Sequence, residues 1–169
     1  MGMTERDQKV LAIVVAVVVL GGYWFLVLGK KRTAIKEAEA AQVTAQADLD
    51  KAVAIAQAIK AKFAEHTPFI KASIGIAPNH FLAKTATDMQ KPDGLVVLED
   101  SDLPHALHRL QLRELCGIGR AMEKRLNRHG IISVEQLCAA SKPVLYRAWG
   151  SVEGERLYAK LRGEWTPAT

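Results

Sequence analysis

The uncharged run VLAIVVAVVVLGGYWFLVL, residues 10–28, constrains this 169-residue chain more than any other feature. As a helix rising about 1.5 Å per residue it reaches roughly 28 Å, close to the thickness of a bilayer's hydrocarbon core. Tyr23 and Trp24 lie towards one end, where aromatic side chains favour the membrane interface. The basic sequence GKKR closes the run, which favours an uncleaved transmembrane helix over residues 10–29, after a tail at 1–9. The alternative is a buried core helix.

Positive charge is heavier after the span than before it. Arg6 and Lys9 precede it, and four cations come after it: Lys30, Lys31, Arg32 and Lys36. The positive-inside rule therefore predicts a single-pass membrane protein whose C-terminal domain is cytoplasmic.

Residues 30–66 are predicted to form a helical stalk. Alanine recurs throughout, and neither Pro nor Gly occurs between residues 33 and 65. A heptad seam of small and apolar residues indicates a weak coiled coil along 33–65 that could pair with a helical partner. The seam consists of Ile35, Ala38, Gln42, Ala45, Leu49, Ala52, Ala56, Ile59 and Phe63.

This N-terminal third, TERDQKVLAIVVAVVVLGGYWFLVLGKKR followed by the Ala-rich helix, resembles the PilO-like inner-membrane assembly proteins of type IV pili. The resemblance implies one span, a coiled coil and a role in pilus assembly. It also implies a stalk outside the cytoplasm, opposite to the orientation that the charges favour.

An α+β pattern occupies residues 67–100. KASIGIA, residues 71–77, predicts a short strand, and LVVL, residues 95–98, predicts a second. Between them Asn79 is a candidate N-cap for a helix from His80 to about Met89, which ends before the turn sequence KPDG. Residues 101–169 are predicted to be all-α, so the fold class is mainly α with two strands.

The sequence LRELCGIGRAMEKRLNRHGIISVEQL, residues 112–137, has a helix-hairpin-helix pattern. The two glycines of the turn allow backbone to approach a phosphate, and N–H groups opening the second helix point at it. Two cations four residues apart share a face of that helix. The predicted DNA-binding residues are Gly117, Ile118, Gly119, Arg120 and Lys124, with Ile118 as the apolar anchor. The alternative is an ordinary helix–turn–helix connection with a solvated basic face.

The stretch SIGIAPNHFLAKTATDMQKPDGLVVL resembles the end of the palm of Y-family DNA polymerases, the translesion enzymes, and the helical segment after it resembles their thumb. The resemblance covers about residues 72–163 and is greatest to UmuC- or DinB-like members. It implies that Lys91, in the KPDG turn, contacts the triphosphate of an incoming nucleotide. His80 departs from the family, which often has Lys or Arg there. Residues 149–163 form a looser second repeat, interpreted as thumb packing.

Nucleotidyl transfer in that family requires two metal ions held by carboxylates. Those carboxylates come from segments that precede the SIGIA strand, where this chain has the apolar run and the stalk. Asp48 and Asp50 have DxD spacing, but on a helix they point to different faces. His105 and His108 lack a third ligand nearby in sequence. The sequence therefore predicts no catalytic residues, no bound metal or cofactor and no polymerase activity from this chain alone, with Mg²⁺ expected only if a complete active site is supplied elsewhere.

The sequence supports three functional hypotheses. The first is binding of double-stranded or primer-template DNA in a repair context, which the net charge of +5 permits. The second is a membrane-anchored assembly protein that pairs through its stalk. The third is a chain that joins two genes and has no integrated function. Cys116 and Cys138 are too far apart for a CxxC motif and are interpreted as reduced cysteines in apolar sites.

Overall fold

The computed structural model describes residues 5–67 and 69–166, and within the first helix it describes side chains at residues 14–24, 31 and 34–66. The chain divides between Lys51 and Ala52 into an N-terminal and a C-terminal unit. Helix α1, Glu5–His66, begins in the first unit and ends in the second. Its Ala-rich sequence without helix breakers between residues 33 and 65 accounts for its continuity, as predicted.

The predicted transmembrane helix over residues 10–29 is not confirmed. Among the described residues, no helix has an apolar segment long enough to cross a membrane. Within the predicted range, side chains are described only for residues 14–24, about half of the ~20 apolar residues that a span requires. The other side chains of that range, and residues 1–4 of the predicted tail, lie outside the described part.

The predicted heptad seam does not follow the buried face of α1 in the C-terminal unit. Ala56 is 3% exposed, whereas Ile59 and Phe63 are 43% and 41% exposed. Together with Ile55, which is 61% exposed, these two side chains recur every four residues and form an exposed apolar stripe. The predicted coiled coil and its helical partner stay predictions.

A two-stranded parallel sheet comes after α1. Strand β1 is Ile74–Ile76 and strand β2 is Leu95–Val97, both shorter than predicted. Helix α2, His80–Met89, has the predicted bounds and supplies the crossover that parallel strands need. The register places Ile74 opposite Leu95, Gly75 opposite Val96 and Ile76 opposite Val97.

Gly75 brings β1 against the backbone of α2. A Cβ atom at this position would lie 2.2 Å from the carbonyl oxygen of Ala83 and 2.4 Å from the nitrogen of Thr87. Only glycine permits this approach, so the strand and the helix pack backbone to backbone.

The remainder of the chain is helical. Three 3₁₀ turns, Asp100–Asp102, His105–Leu107 and Leu112–Glu114, precede helices α3, Arg120–Arg128, and α4, Val134–Ala139; helices α5, Lys142–Trp149, and α6, Glu153–Lys160, complete it. The core is rich in fully buried leucines, namely Leu82, Leu107, Leu115, Leu126, Leu137, Leu145 and Leu161. The mainly helical architecture with two strands is as predicted for this part of the chain.

Helices α5 and α6 form a tight hairpin. Gly150 ends α5 in the left-handed conformation, with φ of 72°. A Cβ atom at Gly154 would lie 2.2 Å from the carbonyl oxygen of Leu145, so the two helices also meet backbone to backbone. This geometry agrees with the interpretation of residues 149–163 as a packing element.

Asn79 links the start of α2 to the end of α6. Its side chain is 3% exposed, and its Oδ1 accepts a hydrogen bond from the Leu82 N–H at 3.0 Å as the N-cap of α2. Its Nδ2 donates to the carbonyl oxygens of Lys160, at 2.9 Å, and Glu164, at 3.1 Å. One amide therefore holds the α+β segment and the C-terminal helices together.

We expect Asn79→Ala to lower the free energy of unfolding by about 2–4 kcal/mol. The N-cap contributes about 1 kcal/mol, and a buried carbonyl left without a donor costs about 1–3 kcal/mol. Urea unfolding followed by tryptophan fluorescence measures the change. Asn79→Ser keeps an N-cap acceptor for α2 and removes both donations, so its loss should be intermediate. An alanine variant within about 0.5 kcal/mol of the parent would contradict this account.

Candidate nucleic-acid interface

Three apolar side chains fix the turn between Leu112–Glu114 and α3. Leu112, Leu115 and Ile118 are 4%, 2% and 3% exposed. Their three-residue spacing suits a 3₁₀ geometry, and the segment before the turn is a 3₁₀ turn rather than the predicted α-helix. Gly117 and Gly119, on either side of Ile118, are exposed.

The two glycines of this turn differ in whether the fold requires the absence of a side chain. Gly117 has a φ of 84°, a left-handed conformation that strains any residue with a side chain. Gly119 has an ordinary φ of −87°, and a Cβ atom there would meet nothing within 4 Å. The fold of this chain therefore requires glycine at 117 but not at 119. At 119 the absent side chain leaves the backbone open towards solvent.

This open backbone is the beginning of α3. Gly119 is the N-cap, and among the described residues no side chain accepts a hydrogen bond from the N–H groups of the first turn. Those N–H groups and the helix dipole favour a negative ligand. Two exposed cations, Arg120 and Lys124, lie one turn apart on the same helix.

The acidic residue in the first turn of α3 is offset by a cation that the sequence did not reveal. Glu123 Oε2 lies 4.0 Å from the Nε of Arg113, which precedes the turn. No periodic pattern connects these two residues, because they lie on different elements. The pairing leaves the N-terminal end of α3 more positive than the sequence of that helix indicates.

Arg125 faces a different part of the molecule. A Cβ atom at Gly150 would lie 2.9 Å from the Nη2 atom of Arg125, so this guanidinium covers the turn between α5 and α6. The basic residues of α3 are thus divided between two turns. Arg120 and Lys124 remain the cations associated with the Gly117–Gly119 turn.

Lys91 lies beyond the end of α2 and is 55% exposed. Its Nζ is 2.5 Å from Oδ1 of Asp88, and the Nζ of Lys84 is 2.6 Å from Oδ2 of the same carboxylate. Lys84 first, and Lys91 second, hold the pKa of Asp88 below its usual value. An anion approaching Lys91 must therefore compete with Asp88.

One cleft joins these two regions. It has a volume of about 290 Å³ and is lined by residues of α2 and of the segment before the glycine turn: Thr85, Asp88, Met89, Leu110, Arg113 and Glu114. The partner of Lys91 and the partner of Glu123 thus face the same cleft. Arg109 also reaches α2, with its Nη2 3.7 Å from the sulfur of Met89.

The other candidate ligands are accounted for by local contacts. In the part of the chain that the structure describes, no three His, Cys, Asp or Glu residues are placed to hold a metal ion. Asp48 pairs with Lys51 at 3.2 Å, and Asp50 accepts a hydrogen bond from Gln46 at 3.0 Å. The rings of His105 and His108 meet edge to face, with centroids 5.3 Å apart. The described residues therefore do not fit a two-metal centre, and the expectation that the chain binds no metal stays a prediction.

The cysteines differ from each other. Cys138 is buried, and burial raises its pKa to about 11, so it is an inert thiol at neutral pH. Cys116 is exposed, next to Gly117, and the prediction that it occupies an apolar site is wrong.

This part of the chain is similar to a known protein family and to known proteins. Residues 113–164 match the family described as "DNA polymerase-iota, thumb domain". A DNA polymerase IV of Pseudomonas paraeruginosa is 41% identical over 112 residues, 66% of this chain and 32% of that protein. The C-terminal part of the chain corresponds to part of a Y-family DNA polymerase.

Solved structures agree with this assignment. The insertion ternary complex of Dbh DNA polymerase has 27% identity and a TM-score of 0.58, over 71% of this chain and 35% of that chain. DinB from Sulfolobus solfataricus has 30% identity and a TM-score of 0.54, over 67% and 33%. This chain spans about a third of the length of these Y-family relatives.

The similarity to the polymerases extends beyond the predicted 72–163. A match of 112 residues that ends no later than residue 169 begins at or before residue 58, within α1. The end of α1 thus belongs to the polymerase-like part. The resemblance of the first third to PilO is not shown by these relatives and stays a prediction.

We expect Gly119→Ala to change the free energy of unfolding by no more than about 0.5 kcal/mol. Alanine is a poorer N-cap than glycine, but it also reduces the entropy of the unfolded chain. Gly117→Ala should cost about 1–2 kcal/mol, because alanine is strained in the left-handed conformation. Urea unfolding of both variants checks the contrast. Equal effects at the two positions would contradict the assignment of Gly117 alone as structurally required.

Proposed function

We propose that the C-terminal unit binds double-stranded or primer-template DNA through backbone phosphates, in a DNA-repair or translesion context. The observation that carries this proposal is Gly119, whose missing side chain the fold does not require. A bare, uncapped helix start beside Arg120 and Lys124 suits a phosphate oxygen, which accepts hydrogen bonds from backbone N–H groups and charged side chains.

This chemistry carries no base readout. Phosphate contacts fix the position of a protein on a duplex, whereas sequence is read from base edges in the grooves. Few cations surround the turn, so binding should be weak and sensitive to salt. The match to polymerase thumb domains supports a sequence-independent grip on the duplex.

We do not propose the polymerase activity of the full-length relatives for this chain. The chain corresponds to about a third of them, and its described residues offer no carboxylate cluster for metal ions. When bound elsewhere, Mg²⁺ would neutralise the charge that develops on the transferred phosphate. This chain alone is therefore proposed to bind DNA without extending it.

A finer proposal concerns Lys91, which we assign to the triphosphate of an incoming nucleotide. Its ammonium is exposed and already holds an anionic oxygen, that of Asp88. A phosphate oxygen can take the same place, because lysine binds phosphate as a point charge. Lys84 would then retain Asp88 through the other carboxylate oxygen.

We expect the full chain to bind a labelled duplex with an affinity that falls about 10–100-fold between 50 and 200 mM KCl, as for two to four phosphate contacts. Gly119→Ala should weaken binding at low salt about 3–10-fold while the protein stays folded, because a methyl group blocks the phosphate. Lys124→Gln should weaken binding and make the salt dependence shallower by about one contact. Fluorescence anisotropy measures all three.

The control is Lys62→Gln, which removes the same charge from an exposed position on α1. It should change duplex affinity less than twofold. Unchanged binding by both Gly119→Ala and Lys124→Gln would remove the DNA assignment from this turn.

We expect Asp88→Asn to strengthen binding of inorganic tripolyphosphate at Lys91 about 3–10-fold, because the competing negative charge is removed. Lys91→Gln should abolish the site-specific response. An NMR titration followed at the backbone amide of residue 91 measures both effects. Weaker binding by Asp88→Asn would show that this carboxylate is not a competitor of the phosphate.

A further inference from the structure

The turn that carries Lys91 is fastened to α1 by Lys60. The Nζ of Lys60 donates to the carbonyl oxygen of Ala72 at 2.9 Å and to that of Asp93 at 2.8 Å. It also contacts the Asp93 carboxylate. A lysine ammonium has three N–H donors, and here each one has an acceptor.

This contact differs from the other lysine ion pairs of the described chain. The Lys60 side chain is 21% exposed, whereas those of Lys51, Lys62, Lys84 and Lys91 are more than half exposed. Lys60 first, and Lys71 to a lesser extent, lower the pKa of Asp93, so that carboxylate is ionised at neutral pH. Because its side chain is partly buried and its ammonium has three acceptors, Lys60 is held in one position and is not a freely solvated charge.

The turn is also closed from the other side. Ser73 Oγ donates to the carbonyl oxygen of Gln90 at 3.2 Å and accepts from the Gly94 N–H at 3.1 Å. A Cβ atom at Gly94 would lie 2.0 Å from the carbonyl oxygen of Gln90, so the two ends of the turn meet closely. The turn is thus closed on itself, and its place in the fold depends on its contacts with neighbouring elements. Lys60 provides the contact with α1.

We propose that Lys60 is a positioning residue for Lys91, acting through Asp93. It fixes the turn on which the long Lys91 side chain begins, so that the Lys91 ammonium meets a polyphosphate with less loss of conformational freedom. The proposal rests on the assignment of Lys91 to the triphosphate. It gives the end of α1 a role in anion binding without requiring Lys60 to touch the anion.

The test compares the full-length parent with Lys60→Met, which keeps the length of the side chain and removes all three hydrogen bonds. Inorganic tripolyphosphate is titrated and followed by NMR at the Lys91 amide. We expect Lys60→Met to weaken binding about 3–10-fold, because a more mobile turn must be ordered on binding. Lys62→Met, two residues along the same helix, should change it less than twofold.

Asp93→Asn separates positioning from simple charge. Removing a carboxylate near Lys91 would strengthen anion binding if charge alone mattered. If Lys60 acts through Asp93, the same variant loses the ion pair and should weaken binding about 2–5-fold. Asparagine tolerates the positive φ of 64° at this position, so the backbone is not strained. Binding that is unchanged or stronger in Asp93→Asn overturns the proposal.

Duplex binding provides the second readout. The hydrogen bonds of Lys60 go to Ala72 and Asp93 and not to the Gly117–Gly119 turn, so Lys60→Met should bind duplex as the parent does. A loss of both activities would indicate unfolding. In that case Asp93→Asn, which leaves both carbonyl acceptors in place, decides the matter. If Lys91→Gln leaves tripolyphosphate binding unaltered, the assignment of Lys91 to the triphosphate is wrong. If Lys91→Gln weakens this binding and Asp93→Asn does not, the assignment of Lys91 holds and only the proposed role of Lys60 is wrong.

Discussion

The buried amide of Asn79 is the interaction on which the C-terminal unit depends. It caps α2 and at the same time donates to the carbonyl oxygen of Lys160, the last residue of α6, and to that of Glu164 beyond it, 81 and 85 residues away in sequence. A two-stranded sheet is too small to be stable alone, so the α+β segment needs the helical layer that Asn79 joins to it. The cleft lies between these two layers, with α2 on one side and the segment before the glycine turn on the other.

Glycine serves three separate purposes in this unit. At 75 and 154 it lets two backbones touch inside the protein, and at 117 it permits a left-handed turn. At 119 neither reason applies, and the missing side chain leaves the start of α3 uncovered, which suits the proposed phosphate contact. Sequence alone could not separate these cases, since the residues beside a glycine do not show what its missing side chain would meet in the fold.

Local features were predictable and distant pairings were not. The bounds of α2 could be predicted from the cap at Asn79 and the Pro-containing turn after Met89, both of which act within a few residues. The pairs Lys60–Asp93 and Arg113–Glu123 join different elements and leave no periodic trace. The predicted seam on α1 contains both the buried Ala56 and the exposed Ile59 and Phe63, because alanines on every side of that helix obscure which face packs. The position of Lys91 in the turn after α2 was predicted, but its ion pair with Asp88 was not.

The exposed apolar stripe of Ile55, Ile59 and Phe63 has a consequence for the choice of electrolyte. Strongly excluded anions such as sulfate favour burial of hydrocarbon, while any salt screens attraction between cations and phosphate. Raising the ammonium sulfate concentration would therefore favour association of molecules through this stripe while it weakens the proposed contacts with nucleic acid. A chloride salt screens charge without strongly favouring burial, so a comparison with chloride separates the two effects.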